Sequence, residues 1–342
     1  MPKITDSFQI KSLYLRNRVV MPPMCQFSAK DGMPNDWHYV HYTSRAIGGA
    51  GLIIMEMTNI EPNGRISDRC LGIWSDSHIP AFARIIQSCK HYGAKMAIQI
   101  GHAGRKAEDA PELVSASPIA FSNRYKTPKE LTTTEAEEMV RQYGQAFRRA
   151  LEAGVDCIEI HGAHGYLIHQ FQSPFTNKRQ DKYGQDKALF GVEVIQEARR
   201  VMPESMPLIF RISAIEYVED GYGIDYSTEL CRRYREAGVD MFHITAGGEG
   251  EIGDAGKPNA GPGYQVDFAQ AIKHALDVPV ISVGRLEDPY LANEAIESGK
   301  TDLVAVGRGM LRNPYWASDA SLLFTNKYLT PETYDRAYRI PR

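Results

Sequence analysis

Two histidines and a tyrosine stand close together just after one short apolar stretch. The stretch covers residues 155–160, and it is followed by His161, His164 and Tyr166 with glycines between them. On a tight turn, this i, i+3, i+5 spacing places two imidazoles side by side with a phenol just beyond. Such a set can hold one oxygen atom and deliver one proton nearby. A single histidine beside a strand is usually a paired structural residue, but three polar side chains at one strand end indicate a site.

The elements that must position these residues alternate along the whole chain. Short β-branched or apolar runs predict strands, and amphipathic stretches between them predict helices. The predicted strands are 18–21, 51–55, 95–100, 155–160, 208–212, 241–245, 280–283 and 303–306. The predicted helices are 39–47, 79–92, 134–153, 187–201, 227–237, 268–276, 289–298 and 314–324. Eight strand–helix units predict eight parallel strands, each covered by a helix.

Three of these helices end in a similar joint, in which a glycine precedes the next strand. The glycines are Gly154, Gly238 and Gly299, and each stands where a helix needs a left-handed C-terminal residue. The repetition favours an α/β fold of the (β/α)8 TIM-barrel type. A doubly wound sheet is the alternative, but no GxGxxG follows the first strand. We predict one domain over residues 1–342, with 326–342 as a C-terminal arm.

Composition and charge limit the classes of protein to which this chain can belong. The 342 residues carry a net charge of −3, which favours neither nucleic acid nor an anionic membrane as a partner. The N-terminus lacks the basic and apolar regions of a signal peptide, and no apolar run has transmembrane length. We therefore expect a cytoplasmic protein. The five cysteines form no CxxC pair, so they indicate neither a zinc ribbon nor an iron–sulfur cluster.

Chemistry in a TIM barrel takes place at the C-terminal ends of the strands. Two of the loops at those ends carry a glycine followed by an arginine: Gly284 and Arg285 after strand seven, Gly307 and Arg308 after strand eight. Glycine lets backbone N–H groups approach phosphate oxygens, and arginine adds a charged fork. The dipeptide is common in turns, but its occurrence in both loops indicates a ligand with a phosphate. Two further loops, 104–133 and 246–265, are long enough to be lids.

The strand ends also offer a permanent positive charge on Arg211, an amide on Gln99 and a polarizable sulfur on Cys25. A flat, hydrogen-bonding ring with a phosphate tail suits this set, and flavin mononucleotide (FMN) is the natural candidate. A metal is served less well, because neither HxH nor HExxH occurs.

The sequence resembles the old yellow enzyme family of flavin-dependent ene-reductases almost from end to end, and most closely its bacterial, thermophilic-like branch. The resemblance lies in separate motifs, of which 161–166 with Gln170, Phe171, Ser173 and Pro174 is the most specific. The others are 17–25, 64–68, 99–106, 262–266 and 306–308.

This resemblance implies roles for particular residues. His161 and His164 would hold the carbonyl oxygen of a substrate, and Tyr166 would donate the proton. In this branch the cysteine at Cys25 tunes the flavin, and an arginine from a neighbouring subunit, here Arg336, enters the active site of a homodimer or homotetramer. The residues that would contact FMN are Pro22, Pro23, Met24, Cys25, Met57, Gln99, Arg211, Gly284, Arg285, Gly307 and Arg308.

Two positions depart from the pattern of that branch. Phe27 stands where a tyrosine is usual, so the aromatic wall of the substrate site keeps its ring and loses a hydroxyl. Met57 replaces an alanine and adds bulk near the expected flavin. The iron–sulfur cysteines of larger relatives are absent.

The expected function is therefore reduction of the C=C bond of α,β-unsaturated carbonyl compounds, with FMN as cofactor and NADPH or NADH as donor. Two alternatives stay open. One is a metal-dependent barrel hydrolase using His102, His161, His164 and His243. The other is a barrel that binds flavin without ene-reductase turnover.

Overall fold

The fold was analysed in a computed structural model, which describes residues 1–250 and 260–338. Its strands are β1 (Phe8–Ile10), β2 (Leu13–Leu15), β3 (Val19–Met21), β4 (Leu52–Asn59), β5 (Lys95–Gly101), β6 (Val114–Ser115), β7 (Lys129–Glu130), β8 (Cys157–Gly162), β9 (Leu208–Ser213), β10 (Met241–Thr245), β11 (Val280–Val283) and β12 (Leu303–Ala305). Its α-helices are α1 (Asp36–Ile47), α2 (Ile79–His91), α3 (Thr133–Glu152), α4 (Leu167–Gln172), α5 (Lys182–Gln185), α6 (Leu189–Val201), α7 (Ile224–Ala237), α8 (Val266–Leu276), α9 (Pro289–Glu297), α10 (Arg308–Arg312), α11 (Trp316–Thr325) and α12 (Asp335–Tyr338).

Eight parallel strands close into a barrel in the order β3, β4, β5, β8, β9, β10, β11, β12. The predicted TIM barrel is confirmed, and all eight predicted strands belong to it. The register brings His161 of β8 opposite Arg211 of β9, and Arg211 opposite His243 of β10. Strand β4 continues beyond its predicted end, because its pairing with β5 shifts register between Met55 and Thr58.

Alternate side chains of the strands face the barrel interior and the surrounding helices. The outward residues, such as Ile53, Ile158 and Phe210, join the large core shared with the helices. The inward residues form a second buried cluster that fills the barrel: Val20, Leu52, Ile54, Ala97, Cys157, Ile209, Met241, Ile281, Leu303 and Ala305. Toward the C-terminal ends of the strands this apolar layer is followed by the buried polar side chains of Gln99, Glu159, Arg211 and His243.

The N-terminal hairpin β1–β2 covers the opposite end of the barrel. Leu13 and Leu15 are buried in the interior cluster, beside residues that begin barrel strands. Lys11, in the turn, pairs with Asp240 at 2.7 Å just before β10. This hairpin was not predicted, because three-residue strands are too short for a clear alternation of apolar and polar residues.

The three glycines predicted to follow helix ends have the expected backbone conformation. Gly154, Gly238 and Gly299 have φ of 92°, 126° and 76°, which are left-handed values. The first long loop, 104–133, is folded: β6 pairs with β7, with Val114 opposite Lys129. The second, 246–265, includes residues 251–259, which lie outside the described part of the chain. Among the described helices, none has the length and apolar character needed to cross a bilayer.

Candidate active site

The end of β8 and the turn after it bring three polar rings together, with His161 next to both of the others. The His161 and His164 ring centroids are 5.3 Å apart, and those of His161 and Tyr166 are 4.9 Å apart. Both pairs meet edge to face, with interplanar angles of 81° and 80°. His161 is buried, whereas His164 and Tyr166 are half-buried. The structure therefore brings together the three residues that the sequence singled out, at the mouth of the barrel.

A left-handed turn creates this arrangement. His164 and Gly165 have φ of 60° and 72°. A Cβ on Gly165 would collide with the carbonyl oxygen of Gly248, so only glycine fits there. Gln170, on the following helix α4, donates a hydrogen bond from Nε2 to the Gly165 carbonyl at 2.7 Å. The turn is thus fixed from two sides.

A buried polar network lies behind the turn. His169 Nδ1 accepts a hydrogen bond from the Gly165 N–H at 2.9 Å, and His169 Nε2 lies 3.0 Å from Glu216 Oε1. Lys106 donates from Nζ to the His164 carbonyl at 2.9 Å and to the Gly248 carbonyl at 3.1 Å. Burial lowers the pKa of Lys106 to about 8.

Burial keeps both site imidazoles neutral. It lowers the pKa of His161 and His164 well below the ordinary value, and the nearby Arg211 charge lowers them further. His161 Nδ1 accepts a hydrogen bond from the Ala163 N–H at 3.2 Å, which leaves its Nε2–H to donate elsewhere. His164 Nε2 lies 3.0 Å from Thr245 Oγ1. Burial also raises the pKa of Tyr166 far above the usual phenol value, so its proton stays in place at neutral pH.

A layer of buried polar side chains lines the barrel just below the rings. Gln99 donates from Nε2 to Glu159 Oε1 at 2.7 Å, and His243 Nδ1 lies 2.7 Å from Glu159 Oε2. Arg211 is buried beside them, and its Nε has no hydrogen-bond partner among the described residues. A buried N–H group without a hydrogen-bond partner is costly. It indicates that a ligand belongs next to Arg211.

A cavity of about 290 Å³ opens beside Arg211. Several predicted cofactor contacts line it: Pro22, Pro23, Met24, Arg211, Gly284, Arg285, Gly307 and Arg308, together with His164. Six other lining residues were not among the predicted site residues: Thr245, Tyr264, Gln265, Val283, Glu287 and Ala305. Thr245 could have been found from its inward-facing position at the end of β10.

The remaining predicted site residues lie near the mouth of the barrel or at the surface of the protein. Met57 is buried in a small apolar cluster against which Cys25 and Tyr166 pack. Phe27 is 40% exposed and adopts a left-handed conformation with φ of 49°. Arg336 is exposed on α12, so a single chain does not bury it in the site. Residue roles at all these positions stay predictions.

The four histidines of the hydrolase alternative have separate partners. His102 lies 2.8 Å from Glu61, and His243 is bound to Glu159. The metal-type cluster found among the described residues is a different one, made of His169, Glu216 and Glu249. It includes none of those four histidines.

The donor set fits a flavin. Arg211 supplies a positive charge, and its Nε has no hydrogen-bond partner among the described residues. The buried Oε1 of Gln265 also has no partner among them. Gly307 has no side chain, so its backbone lines the cavity beside Met24 and Pro22. Charged, hydrogen-bonding and backbone groups thus line one cavity.

Comparison with known proteins agrees with this geometry. Residues 3–322 match the NADH:flavin oxidoreductase / NADH oxidase family. The chain is 42% identical to an NADPH dehydrogenase of Clostridium acetobutylicum, over 98% of this chain and 99% of that protein. It is 40% identical to an NADPH dehydrogenase of Bacillus subtilis, with the same coverage.

A solved structure shares the fold. Morphinone reductase superposes with a TM-score of 0.82 at 25% identity, over 97% of this chain and 93% of that one. Family membership implies a flavin and NAD(P)H. With its closed barrel and the candidate site at the strand ends, the chain belongs to the NADH:flavin oxidoreductase / NADH oxidase family, the old yellow enzymes.

Proposed function

We propose that the protein is an FMN-dependent ene-reductase, which reduces the C=C bond of α,β-unsaturated carbonyl compounds with NADPH or NADH as donor. The observation that carries the proposal is the placement of two neutral imidazoles and one protonated phenol beside a cavity that contains a buried, incompletely paired arginine. This set suits a carbonyl oxygen and a carbon that must be protonated.

FMN is the flavin that this cavity suits, because Gly284, Arg285, Gly307 and Arg308 line it and could hold a phosphate. Gly284 and Gly307 would present backbone N–H groups to the phosphate, and Arg285 and Arg308 would add positive charge. Arg211 and Gln99 would hydrogen-bond the ring, and residues from Pro22 to Cys25 with Met57 would pack against it. The chemistry that bound FMN would supply is hydride transfer between the nicotinamide donor and the β-carbon of the alkene.

The chain's own groups act on the other end of the substrate. Because His161 and His164 are neutral, each donates one N–H, and together they hold the carbonyl oxygen and draw charge from the alkene. Tyr166 then protonates the α-carbon as a general acid. The aromatic ring of Phe27 would form part of the substrate wall, without a hydroxyl to orient polar substituents.

We also propose that the active protein is a homodimer or homotetramer. Arg336 is exposed on the C-terminal arm of a single chain, where it is free to reach a neighbouring subunit. A guanidinium in that position would border the substrate site of the neighbour. The arm would then couple assembly to substrate binding.

One anaerobic absorption experiment tests the proposed function. The purified protein should be yellow, should bleach with NADPH, and should regain its colour when 2-cyclohexenone is added. A yellow protein that bleaches but is not reoxidised by enones would contradict ene-reduction. A colourless protein that does not take up FMN and contains zinc would support the hydrolase instead, and bound flavin that NADPH fails to bleach would indicate binding without turnover.

A further inference from the structure

Thr245 contacts the ring of His164 from a neighbouring strand end. It is the last residue of β10, and its Oγ1 lies 3.0 Å from His164 Nε2. Both residues line the cavity that opens beside Arg211. The contact therefore lies inside the candidate site, next to the space that a ligand would occupy.

The backbone of His164 is held separately, by the residue opposite Thr245. Ser213 of β9 pairs with Thr245 in the register of the barrel. Its Oγ accepts a hydrogen bond from the His164 N–H at 3.1 Å and donates one to the Gly247 carbonyl at 2.9 Å. With the backbone fixed in this way, the bond to Thr245 orients the ring. Nδ1 is then the ring nitrogen of His164 that has no hydrogen-bond partner among the described residues.

The other imidazole of the site shows how such a contact fixes a proton. His161 Nδ1 lies 3.2 Å from the Ala163 N–H, which can only donate. A neutral His161 must therefore carry its proton on Nε2. The partner of His164 is a hydroxyl, which can donate or accept. The position of the His164 proton thus depends on the direction of one hydrogen bond.

Burial favours donation by Thr245. If His164 Nε2–H donated instead, the hydroxyl hydrogen of Thr245 would have no acceptor among the described residues, although Thr245 is only 3% exposed. A buried donor without an acceptor is costly. If Thr245 donates, the N–H that remains is on Nδ1 of the half-buried His164 ring, where a ligand in the cavity can accept it.

We propose that Thr245 is a positioning residue, whose hydroxyl donates to His164 Nε2 and thereby keeps the His164 proton on Nδ1 as a donor toward the ligand. That the acceptor is a carbonyl oxygen rests on the proposed function, whereas the tautomer does not. His161 and His164 would then donate through different ring nitrogens, Nε2 and Nδ1. A carbonyl oxygen has two lone pairs and can accept both hydrogen bonds.

Two variants of Thr245 separate the hydroxyl from the shape of the side chain. Thr245→Val removes the hydroxyl and keeps the branched shape, so the Kd for phenols should rise by about 2- to 10-fold, the usual effect of one lost hydrogen bond. Thr245→Ser keeps the hydroxyl and should bind phenols like the parent. Titration of the flavin absorbance measures both.

Thr301→Val is the matched control. Thr301 is also buried, and its hydroxyl bonds the Val280 and Leu303 carbonyls at the beginning of β11 and β12, at the opposite end of the barrel. Its replacement should leave the affinity for phenols unchanged.

Nuclear magnetic resonance of the full-length protein labelled with ¹⁵N-histidine observes the tautomer directly. Long-range ¹⁵N–¹H correlations distinguish a protonated ring nitrogen from a bare one, and His164→Asn identifies the His164 signals among the ten histidines. The proton should be on Nδ1 in the parent, in Thr245→Ser and in Thr301→Val. In Thr245→Val it should be shared between both nitrogens.

The outcomes separate this proposal from the proposed function. A His164 proton on Nε2 in the parent would overturn the role of Thr245, and this measurement needs no variant that could misfold. A Thr245→Val protein with the tautomer and phenol affinity of the parent would overturn it too, as would a loss of affinity that Thr245→Ser shares. The expected tautomers in a protein that enones fail to reoxidise would uphold the positioning role and reject the ene-reductase.

Discussion

At the scale of single residues, burial rather than identity decides what the two histidines can do. An exposed histidine would be partly charged near neutral pH. Here burial and the charge of Arg211 keep His161 and His164 neutral, so both remain single N–H donors. Burial also keeps the proton on Tyr166, because it raises the pKa of the phenol more than the charge of Arg211 lowers it. The two neutral imidazoles can therefore donate hydrogen bonds while Tyr166 still carries the proton that it would transfer.

Removing the phenol hydroxyl should affect one half-reaction only. Tyr166→Phe should slow alkene reduction by about 10²–10⁴-fold, the usual contribution of a positioned general acid. Flavin reduction by NADPH should keep its rate, because no proton from Tyr166 enters that step. Stopped-flow measurement of each half-reaction checks this, and equal slowing of both would contradict the assignment.

Removing the imidazole pair should weaken the binding of phenols, which resemble the enolate of the substrate. Replacing both His161 and His164 by alanine removes two hydrogen bonds, so the Kd should rise by about tenfold or more. Titration of the flavin absorbance with a phenol measures it. His91→Ala, at an exposed position on α2, serves as the control; unchanged affinity in the double variant would rule out a carbonyl clamp.

At the scale of elements, irregularities at the strand ends determine the direction in which nearby side chains point. The register shift in β4 leaves Glu56 directed to Tyr42 of α1, while Met57 joins the cluster at the barrel mouth. Glu56 Oε2 also accepts a hydrogen bond from the Gln26 N–H at 2.8 Å. One buried carboxyl thus anchors the segment that carries Cys25 and Phe27.

The Glu56 carboxyl should make stability depend on pH. Burial raises its pKa from 4.5 to about 8, and His38, 3.6 Å away, does not offset this because burial lowers the pKa of that imidazole to about 4. The stabilisation linked to a raised carboxyl pKa is lost as pH rises from about 4.5 to 8.

Glu56→Gln removes that titration, so the unfolding free energy of the variant minus that of the parent should increase with pH across this window. Denaturant unfolding at several pH values measures the difference. A difference that does not change with pH would show that Glu56 is ionised normally.

The turn at Gly165 offers a matched pair of glycine variants. Gly154 and Gly165 both have left-handed φ, so alanine costs strain of about 1–2 kcal/mol at each. Only at Gly165 does the new Cβ meet the Gly248 backbone, whereas nothing lies within 4 Å at Gly154. Gly165→Ala should therefore lose about 1–3 kcal/mol more unfolding free energy, and it should bind phenols less tightly. Equal losses in both variants would contradict the packed turn.

At the scale of the whole molecule, the barrel places apolar packing residues at one end and the candidate site residues at the other. The hairpin β1–β2 and an apolar layer fill one end, and polar side chains occupy the other. Such a division is general in TIM barrels. It lets the loops at the strand ends carry strained residues such as His164 on a rigid support.

The C-terminal arm provides a prediction about assembly. If Arg336 enters a neighbouring site, Arg336→Ala should raise the KM for the alkene several-fold and leave flavin reduction by NADPH unchanged, because the lost contact is to substrate. Arg232→Ala, at an exposed position of α7, is the control. Steady-state kinetics combined with size-exclusion chromatography tests the idea, and unaltered kinetics in a protein that is monomeric would exclude a shared site.

Local patterns in the sequence were enough to predict the barrel and the position of its site. Short β-branched or apolar runs located all eight strands, and the glycine joints located the ends of three helices, because both signals depend on neighbours a few residues apart. The spacing of His161, His164 and Tyr166 indicated a candidate site because these three residues are also close together in the sequence. Short elements escaped prediction: β1, β2, α4 and α5 have too few residues to show a period.

Only the tertiary structure decided how distant groups combine. The hydrogen bonds of Lys106 to the His164 and Gly248 carbonyls, and the close approach of Gly165 to Gly248, each join segments far apart in the chain. Burial, which sets the protonation of the imidazoles and the phenol, is likewise a property of the assembled barrel. Sequence therefore determined which residues reach the mouth of the barrel, and packing determined the charge and partners they have there.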